Sequence, residues 1–368
     1  MSEISLLIKP SSDKCNISCD YCFYHDVSKH RLDCHDFMSL DVLEKTIQRT
    51  FEYADQTVSI AFQGGEPTLV GLDFYKEFIG YLDSYNAKNL PVNLSIQTNG
   101  ILLDDEWCEF LHEENFLVGI SLDGIKELHN LHRKDCLGKD THHKVMEAIR
   151  TLKRHQVEFN VLKVITKDTL PFVKENYQFL KENQIKYLQL IPVLDQIYQS
   201  FGQNDYSLSE DDYGKYLCDL FDLWYVDFIK GRAVSVIYFE NLINKIMGNQ
   251  NISCGMNGRC TIQMVVEASG HIYPCDFYVT DRWQLGNVFN DSMLDILKSK
   301  PSHEFVKESF NHASCCQSCK WQAICEGGCK RHRQFGEYHL TRNYFCESYK
   351  TFYSYVYPRM LDIAIKLS

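Results

Sequence analysis

The sequence predicts an α/β fold: a parallel sheet of β/α units followed by a smaller cysteine-rich region. Three observations predict it. From Ser5 to about Ile191, short apolar runs alternate with longer amphipathic ones, the pattern of strands joined by helical crossovers. Beyond Asn251 the chain becomes short, glycine-containing and cysteine-punctuated. The composition, 45% hydrophobic and 24% charged over 368 residues, is that of a folded globule and excludes a disordered tail, a collagenous fibre and a coiled coil.

Each element follows from its own pattern. Strands are expected at Ser5–Ile8, Val58–Phe62, Val92–Ile96, Leu117–Leu122, Phe159–Ile165 and Tyr187–Ile191. Helices are expected between them, at about Ser39–Tyr53, Asp73–Tyr85, Asp104–Glu113, Thr141–His155 and Leu170–Asn183, where apolar residues recur at helical spacing. Ser39 and Asp104 are placed to cap two of these. After Pro192, a polar stretch at Gln199–Ser207 leads to a helix at Ser209–Lys230 with Leu217, Leu220, Phe221, Trp224 and Phe228 on one face. Another helix is expected at Phe239–Met247. Met264–Glu267 and His271–Tyr273 bracket Ala268–Ser269–Gly270 as a hairpin. A boundary near 235–252 gives two domains, 1–234 and 235–368.

Lys plus Arg number 38 against 49 Asp plus Glu, a net charge of −11, which argues against a nucleic-acid partner bound by phosphate neutralisation. The N-terminus, with Glu3 ahead of only Leu6, Leu7 and Ile8, is not a secretory signal. No uncharged apolar segment approaches about 18 residues, so no membrane span is expected. These readings imply a cytoplasmic protein. In a reducing compartment, 16 cysteines are better explained as metal or redox ligands than as disulfides.

Their placement supports ligation. Cys15, Cys19 and Cys22 follow the first expected strand as C-x3-C-x2-C, and Cys316, Cys319, Cys325 and Cys329 form C-x2-C-x5-C-x3-C. Chance alone would give these patterns about 0.03 and about 0.001 times per chain. Three thiols within eight residues fit a [4Fe–4S] cluster that leaves one iron open, whereas a zinc knuckle wants a fourth local ligand. Polar turns follow three further strands: Gln63–Gly64–Gly65–Glu66–Pro67, Gln97–Thr98–Asn99–Gly100 and Ser121–Leu122–Asp123–Gly124. All fall at the sheet end where α/β folds bind ligands. Gly64 and Gly65 would let backbone amides approach a ligand closely, and Glu66 would accept from an ammonium.

The cysteine triplet with Tyr21 before its last member, together with GGEP, resembles the radical S-adenosylmethionine (SAM) enzymes. The resemblance implies a partial (β/α)6 barrel, three irons on Cys15, Cys19 and Cys22, and the open iron chelated by the amino and carboxylate groups of SAM. It implies SAM contacts from Tyr21 through its backbone, from Gly65 and Glu66 near the methionine amine, and from Ser121, Arg133 and Leu194.

Cys254, Cys260, Cys275 and Cys346 join the second constellation to make eight thiols, enough for two closed sites; two zinc ribbons are the alternative. The pattern resembles the SPASM extension of radical SAM peptide-modifying enzymes, which implies two auxiliary [4Fe–4S] clusters and three in all. Cys254, Cys260, Cys275 and Cys329 would hold the nearer, and Cys316, Cys319, Cys325 and Cys346 the farther. Cys34, Cys108, Cys136, Cys218 and Cys315 remain, read as buried or free thiols, with Cys315 the one able to confuse the assignment.

Longer stretches, among them SLLIKP, CNISCDYCFYH, AFQGGEPTLVGL, SLDGIKELHNLHRKD and CGMNGRCTIQMVVEASGHIYPCDFYVTDRWQLGNV, resemble the anaerobic sulfatase-maturating enzymes. That resemblance implies oxidation of a Cys or Ser in a sulfatase's active-site motif to Cα-formylglycine, by a 5′-deoxyadenosyl radical that takes a Cβ hydrogen. It implies Asp276 as the proton acceptor; without it, a carboxylate fixing its loop is the simpler reading. Tyr24 and Gln63 are expected to contact the peptide. The partners implied are an unfolded or nascent sulfatase and a low-potential donor such as a flavodoxin or ferredoxin. Thioether or other crosslinking of a ribosomal peptide on the same scaffold is the alternative chemistry. His129 and His132 are expected to face solvent or cap a turn.

Overall fold

The computed structural model describes residues 3–32, 37–249, 253–335, 339–340 and 342–367; Cys34 lies outside them. Two compact units are present, each assembled from several stretches. The first comprises Met1–Ser121, His132–Phe159 and Thr261–Val306; the second comprises Leu122–Leu131, Asn160–Cys260 and Lys307–Ser368.

In the first unit β1 (Ile4–Ile8), β2 (Val58–Phe62), β3 (Val92–Thr98) and β4 (Leu117–Ser121) form a parallel sheet. Ile8 lies opposite Phe62, and Phe62 opposite Ile96. Val265–Val266 pairs with the free edge of β1 in parallel, then antiparallel with His271–Tyr273. Gly270, at φ +82°, makes the expected turn between those two strands. Helices Leu40–Tyr53, Leu72–Tyr85 and Asp105–Glu113 connect the parallel strands. Ser39 Oγ accepts the Val42 N–H at 3.3 Å, and Asp104 Oδ1 accepts that of Trp107 at 3.0 Å, so both expected caps form. Phe62 meets Tyr75 and Phe78 edge-on, each at 4.9 Å between centroids. Such pairs add about 0.5–1.5 kcal/mol each beyond their burial. The core thus fixes the carboxyl end of β2, where the QGGEP turn begins.

In the second unit β5 (Phe159–Ile165, all but its first residue) and β6 (Tyr187–Pro192) run parallel, with Ser235–Val236 beside β6. Helix Asp212–Phe228 buries Leu217, Leu220, Phe221 and Trp224. The single helix expected at Leu170–Asn183 is instead a 3-10 turn, Lys167–Phe172, followed by an α-helix, Val173–Glu182. Pro171 disfavours the α conformation at Leu170 before it, so the α-helix begins only beyond the proline.

The region after Asn251 is less loop-like than its sequence suggests. It holds helices Met293–Lys298 and Lys300–Ser309 and a 22-residue helix, Cys346–Leu367, with Pro358 inside it. That last helix packs closely on Asp212–Phe228, where a Cβ on Gly214 would stand 2.5 Å from the Ser348 carbonyl oxygen. Among the described residues, no helix is long and apolar enough to cross a membrane.

Candidate active site

The cysteine loop is built on β1. The short strand Ile17–Cys19 pairs antiparallel with Arg133–Asp135, and Cys22 stands at the N-cap of helix Phe23–Val27. Arg133 lies 3.8 Å from Cys19 Sγ through Nη1 and 5.4 Å from the Tyr21 ring centroid. Asn99 Nδ2 donates to Asn16 Oδ1 at 2.7 Å and lies 3.7 Å from Cys15 Sγ. Burial pushes the Cys15 thiol up to about 12, and raises that of Cys22. A soft metal centre must therefore displace protons as it binds. Among the described residues no three Cys, His, Asp or Glu side chains converge on one ion; a cubane gives each thiolate its own iron.

The Gly-Gly turn serves the chain itself. The Gly65 N–H donates to Ser12 O and the Glu66 N–H to Lys14 O, both at 2.8 Å. A Cβ on Gly65 would lie 2.0 Å from the Lys14 carbonyl oxygen, inside any allowed contact. Those amides hold the cysteine loop against β2. Gly65→Ala is expected to prevent cluster loading there, lowering the iron of the reconstituted protein by roughly a third, as iron analysis would show.

Glu66 is fully buried and joins two turns. Its Oε1 accepts from Thr98 Oγ1 and Thr68 Oγ1 at 2.6 Å each, and its Oε2 accepts the Asn99 N–H at 2.7 Å. Burial raises its carboxyl against these bonds. Ser121 Oγ, at the end of β4, accepts from Gln97 Nε2 at 3.0 Å.

Asp276 occupies the turn after His271–Tyr273 and is buried, 6% exposed. Its Oδ2 accepts from Tyr24 Oη at 2.5 Å and from Gln63 Nε2 at 3.1 Å. Gln63 also donates to Tyr24 Oη at 2.8 Å. Oδ1 is buried with no hydrogen-bond partner among the described residues; the Lys9 ammonium stands 4.0 Å away. Burial raises the Asp276 carboxyl, opposed chiefly by Lys9 and the Tyr24 hydrogen bond. The structure thus brings Tyr24, Gln63 and Asp276 together.

In the second unit, Cys316, Cys319, Cys325 and Cys346 line a single cavity with Tyr349 and Tyr353. Four thiols around one cavity are the donor set of a closed [4Fe–4S] site. Cys315 borders the same cavity from an exposed position. Burial raises the thiols of Cys254 and Cys260, and the nearby Cys329 adds to the rise in both. Gly258 lets this loop close, since a Cβ there would meet Glu326 O at 1.8 Å. Cys275 precedes Asp276 in the first unit, and Leu194 is buried just after β6 in the second.

One expectation changes in part. His129 and His132 do not face solvent, at 0% and 8% exposed. His129 Nδ1 accepts the Asp123 N–H at 3.3 Å and so does cap a turn, while His132 Nδ1 lies 3.3 Å from Asp20 Oδ2. Of the remaining thiols, Cys108 is buried, Cys218 partly buried and Cys136 exposed. The sequence reading passed over Lys9, Arg31 and Glu267. The available signal was a charge closing an apolar strand, SLLIK and VVE, because a charge at a buried strand end needs a partner.

Comparison with known proteins fits this geometry. Residues 10–180 match the radical SAM superfamily and residues 254–320 the SPASM iron–sulfur cluster-binding domain. The chain is 47% identical over 366 residues to the cysteine-type anaerobic sulfatase-maturating enzyme of Clostridium perfringens (strain 13 / Type A), covering 99% of each. To the serine-type enzyme of Bacteroides thetaiotaomicron it is 32% identical, covering 96% of this chain and 90% of that one. The solved structure of native anSMEcpe with bound AdoMet and Cp18Cys peptide superposes with a TM-score of 0.96 at 46% identity, covering all of both chains. The chain therefore belongs to the anaerobic sulfatase-maturating enzymes, radical SAM oxidoreductases with a partial-barrel domain and a SPASM domain that use SAM and [4Fe–4S] clusters to form formylglycine.

Proposed function

We propose that this chain oxidises a cysteine in the active-site motif of a client sulfatase, with Asp276 as proton acceptor. One observation carries the assignment of the base. Two donors hold Oδ2 of Asp276, while Oδ1 is buried with no hydrogen-bond partner among the described residues. That asymmetry suits a general base: one oxygen is fixed and the other keeps its lone pairs for the departing proton. The cysteine preference follows the cysteine-type relative, 47% identical against 32% for the serine-type one.

When bound, SAM and the clusters supply the radical that takes a Cβ hydrogen and the sink for the second electron. The chain's own residues do the rest. Asp276 Oδ1 takes the thiol proton, and Tyr24 and Gln63 keep Oδ2 in place and border the peptide. Water then hydrolyses the thioaldehyde, and sulfide leaves. Tyr21, Gly65, Glu66, Ser121, Arg133 and Leu194 would hold SAM. Cys15, Cys19 and Cys22 would hold the first cluster; Cys254, Cys260, Cys275 and Cys329 the nearer auxiliary one; Cys316, Cys319, Cys325 and Cys346 the farther. In this reading the barrel domain spans 1–234 and the SPASM domain 235–368. The client is an unfolded or nascent polypeptide in the cytoplasm, and a flavodoxin or ferredoxin supplies electrons.

The test is anaerobic incubation of the reconstituted protein with SAM, reductant and a Cys-x-Pro-x-Arg peptide. The expected product is an aldehyde with loss of sulfur, formed faster than from the serine counterpart. An internal thioether bridge, or no turnover of either peptide, would overturn the reading. Whole-length identity to the maturases already favours it over crosslinking.

A further inference from the structure

We infer that Lys9 is a positioning residue for the oxidation, its buried ammonium holding both Asp276 and Tyr24 in their working geometry. The inference rests on the reading of Asp276 as the base.

Lys9 directly follows β1, is 1% exposed, and its N–H donates to Val266 O at 2.9 Å. Among the described residues its ammonium meets three groups. Glu267 Oε1 lies at 2.7 Å, the Tyr24 ring centroid at 4.5 Å, and Asp276 Oδ1 at 4.0 Å. The first contact anchors the cation. The second fixes the ring whose hydroxyl holds Asp276 Oδ2. The third acts on the carboxylate oxygen that no hydrogen bond restrains among the described residues. With Oδ2 pinned by Tyr24 and Gln63 and Oδ1 drawn towards a fixed cation, rotation of the carboxylate is opposed at both ends.

The surroundings show this cation to be separable from the fold of its neighbours. Arg31 Nη1 also binds Glu267 Oε1, at 2.5 Å, and Arg31 Nη2 binds Ser12 Oγ at 2.5 Å. Glu267 therefore keeps a charged partner when Lys9 is neutral. Gly64 makes room for the Lys9 stem: a Cβ there would lie 3.2 Å from Lys9 Cβ and 3.3 Å from Cε. The first glycine of the turn thus gives Lys9 its path, as the second gives the cysteine loop its seat.

The test compares Lys9→Met, Lys9→Arg and Asp276→Asn in the full-length, anaerobically reconstituted enzyme with SAM and the cysteine peptide. Lys9→Met is expected to keep parental iron content and to bind peptide, by fluorescence anisotropy, within about threefold, while kcat for the aldehyde falls on the order of 100-fold, the cost of misplacing a reacting group. 5′-Deoxyadenosine should continue to form, so its ratio to aldehyde rises; a purely structural defect would lower both. Lys9→Arg, which keeps the charge, should restore most of the coupling. Parental kcat and ratio in Lys9→Met, equal impairment in Lys9→Arg, or loss of iron from both would each overturn the inference. If Asp276→Asn turns over at the parental rate, the base assignment itself fails, whatever Lys9 does.

Discussion

Replacing Cys15, Cys19 and Cys22 together by alanine is expected to abolish SAM cleavage while leaving roughly two thirds of the iron in the reconstituted protein. The loop itself should survive. It is held by backbone bonds from Gly65 to Ser12 and from Glu66 to Lys14, and by the pairing of Ile17–Cys19 with Arg133–Asp135, none of which uses a thiol. Alanine is smaller than cysteine, so nothing is forced apart. On the proposed assignment, what disappears is a donor set of three, and with it the iron that would take the amino acid end of SAM. The auxiliary thiols come from other stretches, four of them lining their own cavity in the second unit, and should still assemble clusters. Iron analysis and low-temperature EPR, with and without SAM, read the outcome: a reduced cluster signal remains, and SAM no longer changes it. Continued formation of 5′-deoxyadenosine would mean that another set of thiols presents the open iron.

Much of this site was legible because it depends on local sequence. The strands are apolar runs of one period, so β2 and β5 fall where expected, and Ser39 and Asp104 cap because their oxygens reach amides three residues on. The cysteine spacings declare themselves for the same reason. What escaped depends on pairing across the chain. Lys9 and Glu267 meet only because Val265–Val266 adds to the edge of β1, a register that neither segment states alone. The Gly-Gly turn suggests amides free to approach a ligand, yet the Gly65 N–H is bonded to Ser12 O in the loop bearing Cys15. The last helix was obscured by Pro358, which a helix packed along Asp212–Phe228 tolerates because tertiary burial of Phe352, Val356 and Met360 outweighs one missing hydrogen bond.

Asp276→Asn should separate proton transfer from everything that precedes it. The amide is nearly isosteric, and its oxygen can occupy the Oδ2 position, keeping the bonds from Tyr24 Oη and Gln63 Nε2. Its NH2 group then stands where Oδ1 was, facing the Lys9 ammonium at about 4.0 Å. That position loses both its charge and its basic lone pair. Folding, iron content and SAM binding are expected to match the parent, because the substitution keeps the side chain's shape and its Oδ2 bonds from Tyr24 and Gln63. Formation of aldehyde should fall by about 100- to 10,000-fold, the usual contribution of a positioned base. 5′-Deoxyadenosine should still appear when peptide is present, since hydrogen abstraction from Cβ comes before the proton leaves. Quantifying both products in one anaerobic time course checks this directly. Aldehyde formed at the parental rate would assign the proton to another acceptor, whereas parallel loss of both products would place Asp276 in binding of SAM or peptide.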